Sequence, residues 1–413
     1  MQTETAPHFV PTSARSSLFA FLLSRLLILF VVVLTANVVL DPPVPGPVGE
    51  LHNSNISLRN NRVVDVVSNL TLGADSLWIL TIAKDGYERE PFNTSTQKRW
   101  AFFPLYPLLL RAAAQVTGEF PLTGIALSNC FFLFALILLF KTVEAFGWDS
   151  AVAERTVFYV AMFPVSYFFS LAQTESLFLL LTVTCLYCAK IDRWWWAGVC
   201  GALASATRFA GVFLLLPLCL IYWQRRWTIE RERSLAEGAT PQPNSLRLMF
   251  GAEIFALMFV PLGLLAFMIY LKQITGNAFA FADIQLAWGH SPGFFWRPLF
   301  TFLKDPSRVS AGWDFRLLNF AAATTALVCS VVLLKRREWA LGSYALVSIV
   351  IPMSYQPLLQ SFARYVMVIF PVFIVLATAG RCPRVDQVIR AVFIGLLCLM
   401  SAMLAARITL SFA

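Results

Sequence analysis

Residues 17–40 read SLFAFLLSRLLILFVVVLTANVVL. An α-helix rises about 1.5 Å per residue, so this apolar run is long enough to cross a hydrocarbon layer of roughly 30 Å. The run is longer than a signal-peptide core and lacks a small-residue cleavage pattern. We therefore expect it to stay in the protein as a membrane anchor.

The composition of the whole chain agrees with this first run. The protein has 413 residues, of which 58% are hydrophobic and 13% are charged, against about 25% charged residues in an average soluble protein. The mean hydropathy is +0.69. These values exclude a water-soluble globule and predict an all-α polytopic membrane protein, because helices satisfy their own backbone polar groups in lipid.

Further apolar segments divide the chain into about eleven predicted transmembrane helices within one integral membrane domain, 1–413. Their predicted bounds are 17–40, 121–140, 155–171, 176–189, 194–207, 209–223, 250–271, 316–334, 339–353, 365–380 and 388–409. The assignment of spans is least regular over 194–223, where Arg208 interrupts a stretch of thirty mainly apolar residues. Two short spans meeting at Arg208 fit best, and the alternative is one overlong helix that would reverse every later orientation.

Basic residues orient these predicted spans. The net charge is +9, from 32 basic and 23 acidic residues, and most basic side chains lie in short loops, as the positive-inside rule expects of cytoplasmic loops. This distribution orients the chain and requires no nucleic-acid partner. The basic loop 224–249 is then cytoplasmic, whereas the long loops 41–120 and 272–315 are exoplasmic. The turn at 173–175, Arg208 and 354–364 fall on the same exoplasmic side.

The first predicted exoplasmic loop contains a short amphipathic helix over Leu72–Tyr87, stopped by Gly86. We expect it to lie on the membrane surface with its apolar side in the interface. Asp75 would stand at its N-terminal end, near the lipid headgroups. The alternative is that Asp75 is an ordinary N-terminal acid favoured by the helix dipole. Asp85 precedes a Gly-Tyr turn, where Asp-Gly is common for conformational reasons.

Three charged residues next to apolar runs are candidates for chemistry, because ionisable groups are costly at membrane depth. Glu175 either caps the following helix or faces a substrate. Arg208 either meets a phosphate or carboxylate or extends to the outer interface. Arg364 either holds a lipid phosphate through paired hydrogen bonds or anchors to headgroups.

The sequence gives little indication of a metal site. The three histidines are scattered, and His290 in the second external loop is a lone residue. The eight cysteines lie in apolar runs, and the pair Cys185 and Cys188 has no second pair to complete a zinc site. We predict no catalytic metal and no cofactor.

A family resemblance follows from five motifs in order along the chain. They are Asp75–Tyr87, AFFP at 101–104, QTESLF at 173–178, ATRFAG at 206–211 and SFARY at 361–365. Together they resemble the PIG-V-like mannosyltransferases, relatives of GPI mannosyltransferase 2. The chain departs from that family in having Ala74-Asp75 where Trp-Asp is usual, and in a longer stretch, Glu90–Arg99, before the AFFP motif. This longer stretch suggests a different acceptor.

The resemblance implies a GT-C glycosyltransferase that takes mannose from a polyprenyl-phosphate donor, with Asp75 as the carboxylate of the first external loop. A glycosyl phosphate already carries a good leaving group, so the reaction needs a base for the acceptor hydroxyl and cations for the departing charge. We expect Asp75 to be the base in an inverting, metal-independent displacement. Arg208 and Arg364 would hold the donor phosphate.

The other candidate substrate-binding residues surround these motifs: Gln173, Glu175, Trp78, Asp85, Tyr87, His290 and Tyr365. The expected partners are the polyprenyl-phosphate-mannose donor, a lipid or glycan acceptor, and membrane lipids. Two other functions stay open, a lipid-linked sugar transporter (flippase) and a noncatalytic relative. Transporters commonly have repeated halves and polar positions on both sides of the midplane, and neither is evident here.

Two features of the sequence indicate the membrane in which the protein lies. The sequons at Asn55, Asn69 and Asn93 would favour the endoplasmic reticulum membrane. Compact intervening loops favour a bacterial plasma membrane, which is our prediction. The sequence does not indicate an oligomeric state.

Overall fold

We describe a computed structural model of the chain over residues 12–38, 75–236, 251–306, 316–355 and 359–406. Within these ranges the regular structure is helical, with no β-strand. The all-α prediction is confirmed for this part of the chain. The sequons at Asn55 and Asn69, most of the predicted loop 41–120 and the end of the predicted loop 224–249 lie outside it.

Seventeen α-helices are described. In chain order they are α1 Thr12–Val38, α2 Ser76–Asp85, α3 Leu105–Thr117, α4 Phe120–Ala145, α5 Ser150–Ala161, α6 Glu175–Lys190, α7 Trp194–Thr207, α8 Leu215–Ala236, α9 Ile254–Leu257, α10 Leu262–Thr275, α11 Ala280–Asp283, α12 Arg297–Lys304, α13 Arg316–Lys335, α14 Trp339–Met353, α15 Phe362–Val366, α16 Phe370–Ala379 and α17 Pro383–Ala405. Short 3-10 helices lie at Arg99–Ala101, Ser166–Ser170, Phe209–Leu214 and Ile284–Trp288.

Four of these helices, α1, α4, α13 and α17, are long and apolar enough to cross a membrane. The pair Leu262–Thr275 and Ala280–Trp288 qualifies as a fifth span, bent by 81°. The helices α14 and α16 are apolar but shorter. The protein is therefore a membrane protein, whereas the number of eleven spans is not confirmed and stays a prediction.

Several predicted spans are broken helices. The predicted span 155–171 divides into α5 and the 3-10 turn at Ser166–Ser170, with Pro164 between them. The predicted span 365–380 is interrupted before α16, which has a proline in its first turn. Proline lacks the backbone N–H and clashes with the preceding turn, so it ends or begins helices at these points. The breaks place irregular, polar backbone within apolar sequence.

The apolar stretch 194–223 is also broken, at Arg208. Helix α7 ends at Thr207, and Arg208 is extended with φ −153° and ψ 147°. A Cβ on Gly211 would lie 2.3 Å from the backbone of Ala204, so only glycine allows the chain to fold back onto α7 here. One continuous helix over this stretch is therefore wrong.

The surroundings of α2, the helix that follows Asp75, differ from those that the sequence predicts. It begins at Ser76 and ends before Gly86, whose φ of 81° suits glycine. Its apolar residues Ile79, Leu80 and Ala83 are at most 3% exposed and belong to the main protein core. The apolar face is buried by protein, so the expected position in the membrane interface is not confirmed.

A second, smaller apolar cluster fixes the segment that follows α2. It joins Trp100 and Phe103 to Phe267 and Leu271 on α10 and to Phe281 on α11. The indole of Trp100 is fully buried and donates to the carbonyl of Glu88 over 3.0 Å. This cluster holds the segment after Asp75 against the bent helix pair.

Candidate active site

Asp75 stands immediately before α2 and directs its carboxylate away from the helix backbone. Its own backbone carbonyl accepts from the N–H of Ile79, but its side chain makes no capping hydrogen bond. The carboxylate Oδ2 instead accepts from Nη1 of Arg364 in a short ion pair. The side chain of Asp75 therefore belongs to an ion pair with a distant part of the chain and does not act as a helix cap.

Arg364 is the centre of this ion-pair network. Its residue is buried, its Nη1 donates to Asp75, and its Nε donates to Oε1 of Glu175 over 2.6 Å. The guanidinium also lies 4.9 Å from the ring centroid of Phe168. A guanidinium can satisfy two carboxylates at once because its donors point outward in a fixed planar fork.

The backbone around Arg364 explains how a short helix can present it. Ser361, just before α15, adopts a left-handed conformation with φ 52°. The N–H of Ala363 donates to Oδ1 of Asn319 on α13 over 3.0 Å. This side-chain cap satisfies one of the free N–H groups at the start of α15 and fixes its position against a long helix.

Glu175 links the second arginine to the network. It is the first residue of α6 and is 0% exposed. Its Oε1 also accepts from Nη1 of Arg208 over 2.8 Å. Two carboxylates and two guanidinium groups therefore meet in one connected cluster with no formal excess charge. Of the two alternatives for Arg208, the structure shows the contact with a carboxylate, that of Glu175.

Aromatic rings border Arg208. Its guanidinium carbon lies 5.6 Å from the ring centroid of Tyr365 and 5.9 Å from that of Phe178. The Arg208 side chain keeps 18% of its surface exposed, more than Arg364 with 10%. Arg208 is therefore the more accessible of the two cations.

Two buried oxygen atoms beside the network have no hydrogen-bond donor among the residues that the structure describes. They are Oε1 of Gln173 and Oε2 of Glu175, both in fully buried residues. The amide nitrogen of Gln173 does have a partner and donates to Oγ of Ser76 over 2.9 Å. Since a buried acceptor without a donor is costly, these atoms are suited to receive hydroxyl donors from a bound molecule.

An aromatic wall formed by Trp78, Phe102 and Trp288 begins three residues after Asp75 along the chain. Trp78 stacks on Phe102 with ring centroids 6.0 Å apart and makes an edge-to-face contact with Trp288, with ring centroids 5.5 Å apart. Two residues beyond Trp288, Nδ1 of His290 lies 2.8 Å from Oε1 of Gln285. Burial lowers the pKa of His290, and the charge of Asp75 acts in the opposite direction.

Asp85 and Tyr87, two of the residues expected to bind substrate, do not belong to the ion-pair network. Asp85 is exposed at the C-terminal end of α2, about 15 Å from Asp75 along the helix axis. Tyr87 donates its hydroxyl to the carbonyl of Phe102 over 2.8 Å and packs against Phe267. Burial raises the pKa of Tyr87 well above its usual value. Tyr87 thus holds the segment that follows α2 in place, and Asp85 does not belong to the ion-pair network among the described residues.

Sequence reasoning missed Arg25 on α1. Its two terminal nitrogens donate to the backbone carbonyl and hydroxyl of Ser166, the hydroxyl of Ser170 and the carbonyl of Ala161. It thereby binds the 3-10 turn that leads into Gln173 and Glu175. The signal was present, because an arginine inside the apolar run 17–40 is as costly as Arg208 at membrane depth.

No group of three or more His, Cys, Asp and Glu side chains is placed to hold a metal ion within the described ranges. Metal independence stays a prediction. The site combines the carboxylate of Asp75 with the guanidinium groups of Arg208 and Arg364. It also contains buried oxygen atoms that can accept hydrogen bonds from hydroxyl groups, and an aromatic wall. These groups suit the transfer of a group whose leaving partner is an anion.

The family described as Mannosyltransferase (PIG-V) matches residues 16–271. No curated protein matches the chain. Two solved structures of the Archaeoglobus fulgidus oligosaccharyltransferase are similar to it. One, tethered with an acceptor peptide containing the NVT sequon via a disulfide bond, has a TM-score of 0.42 and 15% identity over 92% of this chain and 55% of that chain.

The other structure is the apo form, with a TM-score of 0.39 and 14% identity over 83% of this chain and 52% of that chain. The chain spans about half the length of these proteins.

Proposed function

We propose a specific reaction from the premise that this chain belongs to the mannosyltransferase (PIG-V) family. The reaction is the transfer of mannose from a polyprenyl-phosphate donor to a lipid-linked or glycan acceptor, on the exoplasmic face of the membrane and on a GT-C type fold. The observation that carries the proposal is the pairing of Asp75 with Arg364, which puts a candidate base beside a candidate phosphate ligand.

The chemistry is a single displacement. The acceptor hydroxyl oxygen attacks the anomeric carbon of mannose while its proton passes to Oδ2 of Asp75. The bond between that carbon and the donor phosphate oxygen breaks, and the phosphate leaves with the bonding electron pair. Attack opposite the leaving group inverts the anomeric centre, so a β-linked donor gives an α-mannoside. No metal ion is needed if the arginines stabilise the departing charge.

The ion pairs suggest how the site changes when the donor binds. The guanidinium of Arg364 is shared between Asp75 and Glu175. A donor phosphate that takes hydrogen bonds from Arg208 and Arg364 competes with Asp75 for the guanidinium. Asp75 is then released to accept the proton of the acceptor hydroxyl. The unpartnered oxygens of Gln173 and Glu175 would orient the sugar by accepting from its hydroxyl groups.

A small, partly apolar recess lies beside Arg364. It is lined by apolar side chains that include Phe168, Leu318 and Met400, and by the polar residues Asn319 and Ser361. A prenyl chain could contact the apolar lining while its phosphate meets the guanidinium of Arg364. The chain of contacts from lipid to phosphate to sugar would then follow the order of groups in the donor.

The experiment that tests the proposal is mannosyl transfer by the full-length protein in lipid nanodiscs, with a radiolabelled mannosyl phosphoryl lipid as donor. Asp75→Asn should lower transfer by about 10²–10⁴-fold, the range for loss of a general base. Donor binding should be retained, and the thermal unfolding midpoint should fall less than for Glu175→Gln, because the side chain of Asp75 is 21% exposed and that of Glu175 is 0% exposed. The matched control is Asp283→Asn, an exposed external acid that accepts from Asn277 over 2.7 Å.

Two outcomes would contradict the proposal. Normal turnover by Asp75→Asn would remove Asp75 from its role. Movement of intact mannosyl lipid across the membrane without glycosyl transfer would favour the transporter alternative, and binding without transfer or transport would favour a noncatalytic relative.

We place this reaction in a bacterial plasma membrane because the connections between described helices are compact. The alternative is the endoplasmic reticulum. The one sequon in the described ranges is at Asn93, whose Oδ1 accepts from the hydroxyl of Ser95 over 2.7 Å.

A further inference from the structure

We infer that Arg25 on α1 is a positioning residue for the candidate active site, and that it acts on Glu175 and Arg364 through the 3-10 turn at Ser166–Ser170. This inference rests on the proposed function and deepens it, because it makes the geometry of the donor-phosphate site depend on a residue outside that site.

The guanidinium of Arg25 donates from each of its three nitrogens to oxygens of the protein. Nη1 donates to the carbonyl of Ser166 over 2.9 Å and to the hydroxyl of Ser170 over 2.8 Å. Nη2 donates to the hydroxyl of Ser166 over 2.9 Å and to the carbonyl of Ala161 over 3.4 Å. Nε donates to the hydroxyl of Ser24 over 3.2 Å. Because a guanidinium holds its five N–H groups in a fixed planar fork, these contacts fit one shape of the turn.

The break at Pro164 explains why donors are needed here. Ala161 ends α5 and Ser166 begins the 3-10 turn, and both residues are fully buried. A buried carbonyl oxygen without a donor is costly. An apolar side chain could join α1 to the core at a lower cost than an arginine at membrane depth. The guanidinium therefore serves the polar backbone of the break.

Helix α4 contacts the same turn. The hydroxyl of Ser170 donates to Oδ1 of Asn129 over 2.9 Å, and the ring of Phe169 stacks on that of Phe132 with centroids 4.3 Å apart. The guanidinium carbon of Arg25 lies 4.8 Å from the ring centroid of Phe132. Arg25 therefore joins α1, α4 and the turn at one point.

The turn reaches the ion-pair network in two ways. The ring centroid of Phe168, in the turn, lies 4.9 Å from the guanidinium carbon of Arg364. The carbonyl of Phe169 accepts from the hydroxyl of Ser176 over 2.7 Å, next to Glu175 at the start of α6. A displacement of the turn would therefore move the ring beside Arg364 and the start of α6 together.

The test measures binding of farnesyl phosphate, which carries a prenyl phosphate but no sugar, to the full-length protein in lipid nanodiscs by isothermal titration calorimetry. Empty nanodiscs give the baseline. Arg25→Lys keeps the positive charge, but its three N–H donors leave one atom and cannot reproduce the planar fork. We expect its Kd to rise about tenfold, as for the loss of one hydrogen bond.

The number of binding sites separates positioning from a general loss of structure. Protein that fails to fold lowers the number of sites and leaves the Kd unchanged, whereas a displaced site raises the Kd. The matched control is Arg390→Lys. Arg390 donates to Asp386 over 2.9 Å and lies 4.3 Å from the ring centroid of Phe158, and neither contact reaches the turn. Its Kd should equal that of the wild type.

Hydrogen–deuterium exchange gives a second measurement that needs no ligand. The backbone amides of 166–178 should exchange faster in Arg25→Lys than in the wild type, and at the wild-type rate in Arg390→Lys. A wild-type Kd in Arg25→Lys would overturn the inference, even with faster exchange, because Arg25 would then hold the turn without positioning the site. A wild-type protein that binds farnesyl phosphate but transfers no mannose would contradict the proposed function, and the ratio of the two Kd values would still decide this inference.

Discussion

Two ion-paired regions at different places in the molecule have similar geometry and opposite surroundings. Arg364 and Glu175 lie 2.6 Å apart with side chains 10% and 0% exposed. Arg381 and Asp149 lie 2.5 Å apart with side chains 58% and 52% exposed. The distances are alike, so burial is what separates the two pairs.

The difference in burial changes how much each ion pair contributes to the free energy of folding. Charged groups taken out of water lose solvation, and a buried pair repays that loss only with good geometry and further hydrogen bonds. An exposed pair keeps most of its hydration and contributes little. Asp149 also caps α5 by accepting from the N–H of Val152 over 2.8 Å, a local structural role. The buried network has no comparable local role, which favours a function in binding.

Glu175→Gln should produce the largest change in stability. The variant leaves Arg208 and Arg364 with one acid between them, and breaking a buried pair in this way costs about 3–5 kcal/mol. We expect a clearly lower midpoint of thermal unfolding, measured by the fraction of protein that stays monodisperse in gel filtration after heating.

The double variant Glu175→Gln with Arg208→Gln restores charge balance and should recover part of the lost stability. A single variant as stable as the wild type would contradict the view that this network is electrostatically coupled. Equal stability of the single and double variants would show that the loss comes from packing and not from charge.

The pH dependence of His290 should produce a smaller change. Burial lowers its pKa below the usual 6.5, so the unfolded state takes up a proton first as the pH falls. Stability is then fully present above about pH 6.5 and declines as the pH falls below it. The unfolding midpoint at pH 7.5 and 5.5 measures this decline, and His290→Gln should make it shallower. A midpoint that rises on acidification in the wild type but not in His290→Gln would show that the sign is wrong.

Arg381→Gln should produce the smallest change. Since both partners are exposed, the expected shift of the unfolding midpoint is less than about 2 °C and should vanish in high salt. Transfer activity should equal that of the wild type. A loss of stability similar to that of Glu175→Gln would remove the contrast between the buried and the exposed pair.

Several features of the site could be predicted because they depend on local sequence. The cost of charge within apolar runs singled out Glu175, Arg208 and Arg364, and the break at Arg208 followed from its position inside thirty apolar residues. The end of α2 followed from Gly86. Arg25 is also a charged residue within an apolar run. Because the run 17–40 is long enough to be a membrane anchor, no further role was predicted for Arg25.

Other features could not be predicted because they depend on contacts between distant segments. The amphipathic pattern of α2 fits a membrane surface or a protein surface equally well, and only packing shows that protein covers Ile79 and Leu80. Trp288 is separated from Trp78 by 210 residues along the chain. No local rule brings these two rings together.

The sequence by itself determined that this is a helical membrane protein, which charged residues are costly, and where prolines and glycines interrupt its helices, because each depends on residue type and near neighbours. Only the tertiary structure decided that Arg364 bridges Asp75 and Glu175, that Arg25 binds the turn before Gln173, and that Trp78 and Trp288 meet. These are long-range contacts, and they form only when the whole chain packs and each buried charge must find its partner.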